Sequence, residues 1–286
     1  MNNFFTRVDN LSRLSVEKHN VAFSLFDWPA HIAEDTWWQS PDVLSIALTD
    51  HIEQWDEAQL IKLAKWECIN SFSLNYTGEL ELIQEVSRIL DKVALSDARE
   101  YLYHLIDEEN QHMWYFQKFC RAYGGKVYPN KKFQIEKQLM SPAKEHFLVF
   151  ARILIFEEIG HYYNIQNARD SRVHPFVREI NEAHYKDESR HIAYGRQVLE
   201  HLAKDAITDE GDALWLGQQL DKSIAINIAA LYNPQAYRDA GITKGMALRE
   251  SLLNHPNRIE LHETKLLGSF KRHAERLGIT LTDTRK

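Results

Sequence analysis

Glycine and proline are scarce in this chain, 11 and 7 among 286 residues, and no stretch of useful length alternates apolar with polar residues. Strands and their turns depend on both features, so the chain reads as helical. It holds two cysteines, Cys68 and Cys120, with no CxxC pair. That excludes a disulfide framework, and a reduced, cytoplasmic setting is expected. It lacks any run of about 18 uncharged apolar residues, so no transmembrane helix is expected. Its first ten residues, Met1 to Asn10, lack a basic region followed by an apolar run, so no signal peptide is expected. Basic residues do not predominate: the formal charge is −7, with both signs interspersed, which argues against a nucleic-acid or anionic-membrane surface. GxGxxG and P-loop motifs are also missing. No nicotinamide, flavin or nucleotide site is built in, and any electrons come from an external donor.

The length allows a substantial core in one large domain. Residues 1–40 read as an irregular segment, with Trp28-Pro29 and Trp37-Trp38 as packing anchors. Ser40-Pro41-Asp42 is a helix-start pattern. Helix A is expected from about 57 to 94 and helix B from Ser96 or Asp97 to the stop at Gly124-Gly125. Residues 124–141 carry turn residues, with Lys131-Lys132 as a solvated turn. Helix C runs from Pro142 to about 168, and helix D from about 176 to 204. Further helices are expected at about 209–231, 243–253 and 256–277. Short loops make A–B and C–D antiparallel neighbours. Helix B is about 40 Å long at ~1.5 Å per residue, and the linker after it can reach about 60 Å. It can therefore cross the whole bundle. Two hairpins joined by one long crossover make an all-α, ferritin-like four-helix bundle with additional flanking helices. The expected layout is a single domain over 1–286, with its bundle core at about 57–204, the irregular segment 1–40, and extra C-terminal helices at about 209–277.

The polar residues on the apolar faces carry the chemistry. On helix D, His184, Glu188 and His191 stand at i, i+4 and i+7, in line with Tyr194, Val198 and Leu202. Burying two imidazoles and a carboxylate is costly unless something binds them, and a metal ion is the economical answer. Helix B repeats the device: Glu109 and His112 share a face with Leu102, Leu105, Phe116 and Phe119. Two Glu-x-x-His units on two helices, with one Glu from each of the others, form the ligand set of di-metal carboxylate bundles. Hairpin spacing selects Glu79 or Glu81 on helix A and leaves Glu67 too far back. Glu79 shares its face with Phe72, Ile83, Val86, Leu90 and Val93, whereas Glu81 lines up with Glu85, Arg88 and Lys92, so Glu79 is chosen. On helix C, spacing leaves Glu157 and Glu158 both open.

These residues resemble the p-aminobenzoate N-oxygenase family of ferritin-like di-iron proteins. That family's pattern is a Glu, then Asp-Glu-x-x-His, then a Glu, then His-x-x-Asp-Glu-x-x-His. The segment from Glu157 to His191 follows the pattern without a gap, through Ala168-Arg169-Asp170, and this register favours Glu157. The chain departs from the pattern at Glu108-Glu109, where the family often has Asp-Glu, and in a somewhat shorter first hairpin. His184 is the most specific mark, a third histidine beyond the usual two. The resemblance covers roughly residues 60–205 and implies seven ligands: Glu79, Glu109, His112, Glu157, His184, Glu188 and His191. It also implies two iron ions, with Mn/Fe as the other option. The activity it implies is O2 activation through a peroxo-type di-iron(III) species and N-oxygenation of a small arylamine. The rival activities are oxidation at carbon by a hydroxylase, desaturase or C–C-cleaving oxidase, and metal handling without an organic substrate. The partners implied are O2, a small organic substrate and an external electron donor, with no nucleic acid and no membrane; a homodimer is left open. Without metal, each pair of carboxylates ~5 Å apart repels by about 3 kcal/mol at an effective dielectric near 20, so the metal-free site should hold protons or loosen. His161, one turn beyond Glu157, reads first as a satisfied core histidine and second as a support for a ligand. Trp114, Tyr115, Tyr162 and Tyr163 read first as core packing and second as pocket lining or an electron relay.

Overall fold

The computed structural model describes residues 3–129 and 140–283; Lys131-Lys132 lies outside the described residues. The N-terminal stretch departs from the irregular segment expected for 1–40. It forms helix α1 (Asn3–Glu17) and a short α2 (Ala22–Leu25). Phe4 and Val8 of α1 are buried with Ser15, and Leu11 packs against the same core; Phe4, Val8 and Leu11 stand at i, i+4 and i+7, so the helical period is present in the sequence of this stretch. Trp38 is fully buried, as an anchor should be. Ser40-Pro41-Asp42 starts only a 3-10 turn, Pro41–Val43.

Four long helices follow. Helix α3 (Glu57–Ile89) opens on a reciprocal cap, in which Asp56 accepts from the Gln59 backbone at 2.8 Å and Gln59 accepts from the Asp56 backbone at 3.0 Å. Helix α4 (Glu100–Phe119) ends in a π turn, Cys120–Gly124, stopped by Gly125 at φ 68°. Helices α5 (Pro142–Arg169) and α6 (Pro175–Ala206) each begin with proline in the first turn. Helices α3 and α4 pack along each other, as do α5 and α6. Among the described residues there is no strand, only one isolated bridge between Trp37 and Val173. The architecture is the expected ferritin-like helical bundle with flanking helices.

The flanking helices are α7 (Glu210–Leu231), α8 (Pro234–Asp239), α9 (Gly245–Leu253), α10 (Pro256–Leu261) and α11 (Gly268–Arg276). The single helix expected at 256–277 is broken by a π turn, His262–Leu266, and α8 was not anticipated. Helix α7 lies against α5 and α3. No helix of the described residues is long and apolar enough to cross a membrane.

Two apolar cores fill the bundle. One contains Val86, Leu102, Leu105, Leu154, Tyr194 and Val198; the other contains Phe72, Phe116, Phe119, Val177 and Ile180. Each such side chain contributes about 1.5–3 kcal/mol on burial. Along α3, α4 and α6 a set of buried acids and histidines falls between these cores, so apolar packing on both sides holds a polar waist, to which α5 brings Glu157 from between Ile155 and Ile159 of the first core.

Candidate metal centre

The waist gathers all seven residues singled out from the sequence. Glu79 from α3, His112 from α4 and His184 from α6 form one group. Glu109 from α4, Glu157 from α5, and Glu188 and His191 from α6 form a second. In each group the potential ligand atoms lie within 4.8 Å of one another, and every member is buried. Glu109 and Glu188 reach both groups. Oε1 of Glu109 is 3.0 Å from Nδ1 of His191, while its Oε2 is 3.2 Å from Nδ1 of His112. Oε1 of Glu188 is 2.8 Å from Nε2 of His184 and 3.3 Å from Nδ1 of His112, while its Oε2 is 3.2 Å from Nδ1 of His191. Glu79 Oε1 completes the first group, 3.2 Å from Nε2 of His184.

These separations suit a shared cation. Two donors ~2.1 Å from one ion and at right angles are ~3.0 Å apart. Both oxygens of Glu79, Oε1 of Glu109, Glu157 and Glu188, and Nε2 of His184 are buried with no hydrogen-bond partner among the described residues. Such a cluster is costly unless an ion takes up the lone pairs. Carboxylate and imidazole together match first-row transition metals such as iron.

In the absence of metal, protons do part of that work. Burial, with repulsion from Glu188 and Glu109, pushes the Glu157 carboxyl well above its usual range. Burial pushes Glu79 up to about 7, against the pull of His184. For His112 and His191 burial opposes the charge, but the surrounding carboxylates outweigh it and hold both imidazoles well above their ordinary value. Glu188 is held well below the carboxylate range, because His191 and His184 outweigh its own burial. The expectation that the metal-free site holds protons matches these directions.

The competing glutamates on each helix separate by their partners. Glu158 turns away from the cluster to accept a 2.6 Å hydrogen bond from Arg196, while its neighbour Glu157 points into the group. Glu81 accepts from Arg152 at 2.7 Å. Glu67 is buried elsewhere, accepting from the Ser45 backbone at 2.9 Å and from Gln39 at 3.3 Å. His161 joins neither group, and its Nδ1 is buried without a partner rather than satisfied. Tyr115 packs against the His112 ring at 5.5 Å between centroids, Trp114 packs against Trp28, and Tyr163 lines a cavity described below.

Sequence reasoning missed the residues behind the cluster. Nε2 of His112 is 3.2 Å from Asp187, and Nε2 of His191 is 2.7 Å from Glu108. Arg190 donates to both acids, at 2.6 Å to Glu108 and 2.7 Å to Asp187. It also donates to Ser15 of α1 at 3.1 Å, which ties the N-terminal helix to the site. A signal was available: an acid immediately precedes each Glu-x-x-His unit. Behind His184, Nδ1 lies 2.5 Å from the carboxamide nitrogen of Asn164. When Nε2 binds a cation, Nδ1 carries the proton, and the carboxamide accepts it with its oxygen turned inward.

A helical bundle with Glu-x-x-His on two helices and a lone inward Glu on each of the other two defines the ferritin-like carboxylate class. Residues 5–271 match the sequence profile described as P-aminobenzoate N-oxygenase AurF, and the chain belongs to that family of di-iron oxygenases. A search of curated proteins found no match.

Proposed function

We propose that this chain is a di-iron oxygenase that uses O2 to oxidise the nitrogen of a small amine. Glu79, His112 and His184 would hold one iron, Glu157 and His191 the other, and Glu109 and Glu188 would bridge them. The observation carrying this reading is that Glu109 and Glu188 each present one carboxylate oxygen to either group. When bound, two iron ions supply O2 binding and reversible redox change. A first turnover balances as R–NH2 + O2 + 2 e⁻ + 2 H⁺ → R–NHOH + H2O, the electrons coming from an external donor.

The chain's own groups prepare the site for this. Asp187 and Glu108 orient His112 and His191 and keep their Nδ1 atoms turned inward. Phe116, stacked edge-on to His184 at 4.8 Å between centroids, walls off water on the α4 side. The four carboxylates match the charge of two Fe(II) ions, so loading replaces protons with metal and leaves the buried site near neutrality.

The test is anaerobic reconstitution with Fe(II), elemental analysis, and O2 uptake by the reduced protein with a panel of amines. Two irons per chain and amine-dependent O2 uptake with hydroxylamine, nitroso or nitro products are expected. One iron or none at saturation would sink the di-metal reading, and oxygenation of carbon alone would replace the N-oxygenase reading.

A further inference from the structure

A cavity of about 50 Å³ lies between α3, α5, α6 and α7, and its polar lining consists of five carboxamides and two hydroxyls: Asn75, Asn164, Asn167, Asn181, Asn227, Ser71 and Tyr163. It begins one helical turn from the candidate ligands. Asn75 stands four residues before Glu79, Asn181 three before His184, and Gly160 three after Glu157. Asn164 belongs to both places, lining the cavity and touching His184. The rest of the lining includes Leu74, Ile159, Leu231 and the ring of Phe156, and no described lining residue carries a formal charge.

Part of the hydrogen-bonding capacity is already committed. Asn167 accepts from the Ser40 backbone at 2.9 Å, Asn227 donates to the Ser223 carbonyl at 2.9 Å, and Asn181 donates to the Val177 carbonyl at 2.7 Å. The oxygen of Asn181, a residue only 1 % exposed, is left buried without a partner. An orphaned acceptor at a cavity wall is destabilising unless a donor arrives to use it.

Phe156 forms the outer wall. Its ring lies against α3 where Gly78 has no side chain; a Cβ there would come within 2.4 Å of the ring. Beyond it is a second compartment of about 70 Å³ that also borders Phe156 and Asn227 and contains the Arg152–Glu81 ion pair. The inner compartment alone holds a few water-sized groups. An aromatic ring would use both compartments, with Phe156 turned aside.

We infer that this pocket selects a neutral amine bearing a second N–H or O–H group, such as a carboxamide or alcohol, and rejects carboxylates; the inference rests on the oxygenase reading of the adjoining centre. A carboxylate in the inner compartment would shed its water and meet no cation, and the Arg152 guanidinium of the outer one is already paired with Glu81. A ligand carboxamide would donate to Asn181 Oδ1 and accept from a lining amide.

The test uses a matched pair, 4-aminobenzamide and 4-aminobenzoate, which share ring and amine and differ in one charged group. Calorimetric titration of the full chain, both iron-loaded and metal-free, should show the amide binding at least about ten-fold more tightly. Asn181→Leu should weaken the amide about ten-fold and leave the benzoate unchanged. Gly160→Leu should abolish binding of the amide, because a Cβ at that position meets only Asn75 Oδ1, at 3.8 Å, and the side chain has open cavity to fill. Iron content and helicity measured on the same samples report whether each variant is folded and loaded. A ratio below ten, a reversed preference, or no binding of either compound overturns the inference. Failure of the oxygenase reading shows separately, as missing iron or absent O2 uptake.

Discussion

Glu108 of α4 accepts a 2.7 Å hydrogen bond from His191 of α6, and the exchange is reciprocated by Asp187 of α6 and His112 of α4. Each acid precedes a candidate ligand on its own helix and steadies the histidine of the opposite one. Arg190 joins the two acids and offsets their charge. Helices α4 and α6 are thus cross-linked just behind the cluster, and the imidazoles are oriented before any metal arrives.

Glu108→Gln and Asp187→Asn should therefore each lower iron affinity about 10–100-fold while leaving the helical content intact. Competition against a chelator of known affinity measures the loss. Wild-type affinity in both variants would mean that the crossed pairs do not tune the histidines.

The neighbouring glutamates provide a sharper test of the ligand assignment. Glu79→Ala and Glu157→Ala should bind fewer than two irons per chain, because each removes a carboxylate from one group. Glu81→Ala and Glu158→Ala should keep the full complement, since their partners are Arg152 and Arg196. Elemental analysis after reconstitution decides between them, and the opposite pattern in either pair would reverse the assignment on that helix.

Glu67 gives a stability effect separate from the metal. Burial, only partly offset by Ser45, pushes its carboxyl up to about 7, above an unfolded value near 4.3. An acid raised in the folded state contributes stability fully at pH below its unfolded pKa. That contribution is lost as pH rises towards 7, to about 4 kcal/mol in all. Glu67→Gln should flatten the decline between about pH 4.5 and 7 and be the more stable protein at pH 8. Denaturant unfolding of both metal-free proteins across this range tests it; parallel curves would show that Glu67 titrates normally.

Metal loading should oppose protonation. Glu157 is held protonated by burial and by its neighbours, and His112 and His191 are held charged, so an ion must displace these protons. Iron affinity should fall as pH is lowered from 7.5 to 6, with protons released on binding, and the loaded protein should melt at a higher temperature. Calorimetry in buffers of different ionisation enthalpy counts the protons, and pH-independent affinity would contradict this.

The sequence alone determined what is local or periodic. Helical period placed Glu109 with His112, and His184 with Glu188 and His191, on apolar faces. Pro142 and the stop at Gly124-Gly125 bounded two of the long helices, because those signals act within one turn of the backbone. Hairpin arithmetic brought Glu79 level with Glu109, since rise per residue is fixed. Other features depended on how helices rotate and lean against one another. The helix around Glu157 is apolar on nearly every side, so only its packing against α6 turned Glu157 inward and gave Glu158 to Arg196. The crossed bonds from Glu108 to His191 and from Asp187 to His112 join residues about eighty positions apart, beyond the reach of any local period. Helix α1 carries its own period in Phe4, Val8 and Leu11, but that its face docks on α4 and α6, and that Arg190 meets Ser15, was decided only by the tertiary fold.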